Sequence, residues 1–159
     1  MTETTPADVF ERELRKLYHA ELEILDLHSD LAAAAASEEV AALFTGHKED
    51  TVEQIHRIER IFEQLDEPPR ADGSPVMEGI LAEKDALVTD GPSELRDLDV
   101  LSTGMLNERF EITVLDRLLL LATDLELSDE TVMELEANRR EARAALSEME
   151  AIVERRRVN

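Results

Sequence analysis

An all-α fold, a bundle of four long helices, is predicted by three features of the sequence. Apolar residues recur every three or four positions over four long stretches; no strand-like alternation or glycine-rich phosphate loop breaks them; and only 3% of residues are aromatic, which suits leucine and alanine packing between helices. The first stretch opens at Thr5-Pro6-Ala7-Asp8. There an N-cap is followed by proline at the first helical position and by an acid three residues after the cap. It is expected to run to about Ala36 with the stripe Phe10, Leu14, Leu17, Ile24 and Leu31. The second starts after Ser37 as N-cap, with Val40, Phe44, Thr51, Ile55, Ile58, Phe62 and Leu65 on one side. Pro68 and Pro69 stop it.

The third stretch, roughly Glu94 to Glu126, carries Leu98, Leu101, Met105, Ile112, Leu115, Leu119 and Ala122. The fourth is capped by Ser128 and extends to about Arg156, with Val132, Leu135, Ala142, Leu146, Met149 and Val153. At about 26 to 33 residues each, these are helices of roughly 40 to 50 Å. Between the second and third lies a crossover, residues 66–94, much longer than the link between antiparallel neighbours. It contains a short amphipathic fifth helix, Pro75 to Val88, bearing Met77, Ile80, Leu81 and Leu87. Links that run short, long, short place the middle one end to end along the bundle, as in ferritin-like folds.

The 159 residues are expected to form one domain, 1–159, long enough to bury a core. The chain has no cysteine, which excludes disulfides, thiolate metal sites and cysteine nucleophiles. Its N-terminus is acidic and polar where a secretion signal would be basic and then apolar, and its apolar runs are too short for a bilayer. With 38 acids against 17 Lys and Arg, the net charge of −21 repels nucleic-acid phosphate. An apolar content of 43% with helical periodicity argues against a disordered acidic chain. The expectation is a halophilic protein, without nucleic-acid or membrane partners, in a cytoplasm whose salt screens its self-repulsion.

Polar residues on an apolar stripe are costly to bury unless something satisfies them, so they mark candidate sites. The first helix is interrupted at Glu21 and His28, the second at His47, Asp50, Thr51 and Gln54. Glu108 and Glu111 interrupt the third; Asn138, Arg139 and the flanking Glu141 interrupt the fourth. All lie near mid-helix, and antiparallel packing would gather them in one polar layer. By contrast Glu53-x-x-His56, which has the spacing of a di-metal helix motif, points about 200° and 100° away from Ile55 and is expected to face water. Ser102 and Thr103 have no His and Asp company that would suggest a hydrolase.

The segments "LYHAELEIL", "LFTGHKEDTVEQIHRIERIF", "VMEGILAE" and "RDLDVLSTGMLNERFEI" make the chain resemble the YciE/YciF family of ferritin-like, stress-associated proteins over roughly residues 8–150. The resemblance implies a di-metal site inside the bundle, carried over to Glu21, Asp50, Gln54, Glu108, Glu111 and Glu141, with His47 as an additional donor. Two departures stand out. The family's His is replaced by Arg109, and a run of acids on the last helix by Arg139 and Arg140, with Ala145 in place of a further Asp. Two dications need about six ligands, mostly anionic. The expected alternative to metal is therefore an Arg network, in which Arg139 or Arg140 bonds Glu21, Glu108 or Asp50 through charge-assisted forks.

Two functional readings follow. In one the protein is a non-catalytic, stress-type bundle with an Arg and carboxylate layer and no cofactor. In the other it is a di-iron oxidoreductase, a ferroxidase or peroxide reductase, using Glu21, Asp50, Glu108, Glu111 and Glu141. A homodimer is expected in either case, because Leu118 to Leu121 is apolar around nearly a whole turn.

Overall fold

The computed structural model describes residues 3–87 and 90–157, and among them every regular element is a helix: α1 (Pro6–Ala34), α2 (Glu38–Gln64), α3 (Pro75–Asp85), α4 (Ser93–Asp124) and α5 (Asp129–Arg157). Side-chain caps account for the starts of α1, α2, α3 and α5, whereas α4 follows Pro92 with none. Thr5 and Asp8 form a reciprocal capping box, and the hydroxyls of Ser37, Ser74 and Ser128 accept from the backbone N–H three residues on. α2 and α4 end alike. Glu67 N–H reaches back to Phe62 O and Leu127 N–H to Ala122 O, around Asp66 and Glu126 held at φ 58° and 53°. Val88, the expected end of α3, lies outside the described residues. α1 ends two residues earlier than the periodicity suggests and α4 starts one residue earlier.

The early end of α1 has a specific cause. Asp97, buried near the start of α4, accepts from Ala36 N at 2.7 Å and Ser37 N at 3.3 Å and pairs with Arg156 at 3.0 Å. Burial pushes its carboxyl up, but the hydrogen bonds from Ala36, Ser37 and Arg156 outweigh burial and hold it below the usual carboxylate range. This clamp fixes the first residues of α4 beside the turn between α1 and α2, so α4 runs antiparallel to α1. Around the bundle the order is α1, α2, α5, α4, each packed on its neighbours, while α3 crosses over α4 and α1.

The core is divided. One cluster gathers Ile24, Leu27, Leu31, Phe44, Leu101 and Met149 towards the clamped end; the other gathers Phe10, Leu14, Ile58, Phe62, Leu115 and Leu118 towards the opposite end. The apolar turn in α4 is less two-sided than its composition suggests. Leu118 and Leu119 are buried, Leu121 is partly so, and Leu120 alone points outward.

Gly104 makes room in the core for the ring of Phe44. A Cβ there would sit 2.6 Å from Cζ of Phe44 and 3.1 Å from Sδ of Met149. Alanine is the better helix former by about 1 kcal/mol, but overpacking a buried ring costs about 1 to 3 kcal/mol. Gly104→Ala is therefore expected to lower the melting temperature in a thermal denaturation experiment, against the direction that propensity alone dictates.

Candidate metal centre

Between the two apolar clusters lies the polar waist. Glu21, Glu108 and Glu111 are 1%, 3% and 2% exposed, and Asn107, Thr51, Gln54 and Asn138 are buried with them. Glu111 is the centre of the group, taking Asn107 Nδ2 at 3.0 Å from one turn earlier on α4. No hydrogen-bond partner reaches Glu21 Oε2. Burial, and then the charge and hydrogen bond of Glu111 with the charges of Glu108 and Glu141, push the Glu21 carboxyl well above the usual range. Burial likewise raises Glu108, followed by Glu111 and Asp50.

The contrast with other buried acids is informative. Glu13, equally buried, has Arg12 at 3.0 Å, Lys16 at 3.4 Å and Arg117 at 3.2 Å. Asp97 has Arg156. The three waist glutamates have no ion pair among the described residues.

The expected guanidinium groups are elsewhere. Arg139 pairs with Asp116 at 3.0 Å and Arg109 with Glu150 at 3.6 Å, both on the outer surface, and Arg140 is exposed beside them. An Arg network from these residues is thus not what meets the buried acids; a half-exposed position lets their long side chains stay hydrated, as burial would not. The arginine that does approach is Arg57, which sequence reasoning missed. It donates to Glu141 Oε2 at 2.5 Å and to Asn138 Oδ1 at 3.0 Å. Its position three residues after Gln54, on the flank of the α2 stripe, was the only sign of this. Asn107 was legible only as the residue one turn before Glu111.

Other candidates divide likewise. Gln54 is inward and donates to Glu141 Oε1 at 3.4 Å. Asp50, expected inward, has a side chain 57% exposed: it sits on the solvent edge of α2, where a carboxylate keeps its hydration. His47 is buried but faces Asp50 and Glu148, each at 3.8 Å. Glu53 and His56 face solvent as their spacing requires. Among the described residues no group of three or more His, Asp or Glu side chains is arranged to hold a metal ion. A surface cleft of about 680 Å³, lined by His56, Glu59, Glu63 and Glu67, lies on the outside of the far end of α2, away from the waist.

The family model described as a domain of unknown function, DUF892, matches residues 5–159. The chain belongs to this family. The DUF892 chain is also similar to the E. coli stress protein YciF, with 25% identity and a TM-score of 0.88 over 94% of this chain and 95% of that one. A second solved structure, YcfI from Rhodopseudomonas palustris, shares 24% identity with a TM-score of 0.88 over 92% of this chain and 94% of that one. No curated protein matches the sequence. The helical order and these likenesses make the DUF892 fold a ferritin-like bundle with a helical crossover, as its connectivity suggests. No helix among the described residues is long and apolar enough to cross a membrane.

Two outcomes follow for the waist. Glu21 and Glu108 hold protons in the folded chain at pH values where the unfolded chain, with carboxyls near 4.5, has released them. Their contribution to stability is complete below about pH 4.5 and is lost as pH rises through the raised folded values. Glu108→Gln is expected to flatten that loss, melting above the wild type at pH 8 by about 2 to 4 °C for each kcal/mol recovered; parallel melting curves across pH would refute it. Arg139→Ala, with only a surface partner, should change stability by less than about 1 kcal/mol, measured by urea denaturation, where a waist role would cost on the order of 3 kcal/mol.

Proposed function

We propose that the chain is a non-catalytic, stress-type ferritin-like protein, one domain of 159 residues, whose waist is neutralised by protons and one guanidinium instead of two irons. The single observation that carries this is the Arg57 to Glu141 contact. Two ferrous ions bring four positive charges and ask for about six ligands, mostly anionic. The waist offers three glutamates without a cation, a fourth already compensated by Arg57, a neutral Gln54, and an Asp50 at the solvent edge. That set does not fit a two-iron centre.

Likeness to a stress protein supports the stress-response part of the reading, and the description of YcfI, which proposes a structural role for it, favours a non-catalytic one. A net charge of −21 supports a cytoplasm rich in salt. Outward-pointing Leu120 and Met133, on adjoining helices α4 and α5, support a homodimer across that face. One observation favours a second reading. The unpaired oxygens of Glu21 and Asn107 suit entry of one hard cation among Glu21, Glu108 and Glu111.

Anaerobic titration with Fe(II) followed by elemental analysis and exposure to oxygen or peroxide tests both. Fewer than two irons per chain, and oxygen uptake no faster than Fe(II) in buffer, is the expected result. Two irons per chain with saturable turnover would establish the di-iron oxidoreductase in its place.

A further inference from the structure

We propose a cation site one heptad away from the glutamate waist and independent of it, built by His28, His47 and Glu148, that takes a borderline divalent transition ion such as Zn2+. The bundle repeats its layers at this spacing. Seven residues after Glu21 comes His28, seven before Gln54 comes His47, and seven after Glu141 comes Glu148, so the three share a layer about 10.5 Å along the axis. The fourth helix contributes Leu101 there, which closes the inner side with hydrocarbon.

Two features separate this layer from an ordinary buried histidine. First, Nδ1 of His28 and Nε2 of His47 are both buried without a hydrogen-bond partner, on rings whose centroids are 6.1 Å apart. Buried ring nitrogens of this kind are costly unless a donor or a metal ion takes the lone pair, or an acceptor takes the N–H. Two imidazoles, each about 2.0 to 2.1 Å from a shared tetrahedral Zn2+, place their ring centres roughly 5 Å apart, so binding draws the two rings about 1 Å closer. Second, carboxylates flank the same ring. Glu148 Oε2 is 3.8 Å from His47 Nε2, and Asp50 Oδ2 is 3.8 Å from Nδ1. A carboxylate behind one ring nitrogen directs the other towards a metal.

Burial, and then the neighbouring His47, push the His28 imidazole down to about 3, which leaves it the neutral ring that ligates. As the side chains stand they are not drawn together as a ligand set. The larger movement belongs to Glu148, whose side chain is 61% exposed. Two nitrogens and one carboxylate suit Zn2+ and its neighbours better than Mg2+ or Ca2+, which prefer oxygen alone. This site does not rest on the reading of the waist.

Equilibrium dialysis of the full chain against Zn2+, in concentrated KCl with a large excess of Mg2+ to fill oxygen-only sites on the acidic surface, tests the proposal. One Zn2+ per chain should remain bound. His28→Gln and His47→Gln should each weaken binding by more than about tenfold, and surface Glu148→Gln by about tenfold. Glu108→Gln should leave it unchanged, which separates this layer from the waist. Zn2+ should also displace the imidazole resonances of His28 and His47 in NMR spectra of the wild type, which needs no variant to fold. Displacement of all Zn2+ by Mg2+, or affinity unchanged in His47→Gln or Glu148→Gln, would overturn the site and leave a bridging water between the two rings.

Discussion

Burial of three glutamates at the waist of the bundle, with no cation in contact, is the constraint on which the other features turn. Elsewhere the fold treats a buried acid in the ordinary way: Glu13 draws three cations around it, and Asp97 takes two backbone N–H groups and Arg156. At the waist, burial and the neighbouring acids instead raise Glu21 and Glu108 well above the carboxylate range, which favours their neutral forms. The polar layer divides the hydrocarbon into two clusters that meet only at its margins. A bundle with one continuous core would be the more stable solution. The retained polar layer is therefore better explained by what it can bind, or by the helix register it fixes, than by stability.

The same constraint explains the role of Arg57. A fourth carboxylate, Glu141, approaches the waist from α5, and its charge would add to that of the other three. The guanidinium of Arg57 contacts Glu141 and Asn138 together, so α2 and α5 are tied at the height of the waist by a charged, directional contact. Gln54 and the backbone acceptor it offers to Asn138 add to that tie. Along this seam the polar groups are mostly paired. Four of the five unpaired atoms, on Glu21, Asn107, His28 and His47, belong to the interior of the waist and to the layer one heptad beyond it; the fifth, Arg96 Nε, lies near the start of α4.

Surface charge obeys a different logic. Arg109, Arg139 and Arg143 stand on the outer faces of α4 and α5 and share Asp116 and Glu150. On a chain with net charge −21 these pairs locally relieve repulsion between acids. Contacts of this kind are screened by salt, whereas the waist is shielded from it by burial. Solvent conditions that alter the one leave the other largely intact.

Periodicity by itself determined the helices, their order and the crossover, because the spacing of Phe10, Leu14, Leu17, Ile24 and Leu31, and the caps at Thr5, Ser37 and Ser128, are local properties of a 3.6-residue repeat. It also determined that Glu21, Gln54, Glu108 and Glu111 turn inward and that Glu53 and His56 do not, since each lies well inside or well outside its stripe. Residues on the flank were another matter. Asp50, Arg57, Arg139 and Glu141 stand near the edge of their helices, where a few degrees of rotation and the reach of a flexible side chain choose between solvent and interior. Only the packing of α2 against α5 decided that Arg57 reaches Glu141 while Arg139 turns to Asp116, because that choice depends on which groups on a neighbouring helix lie opposite, and no spacing within one helix encodes it.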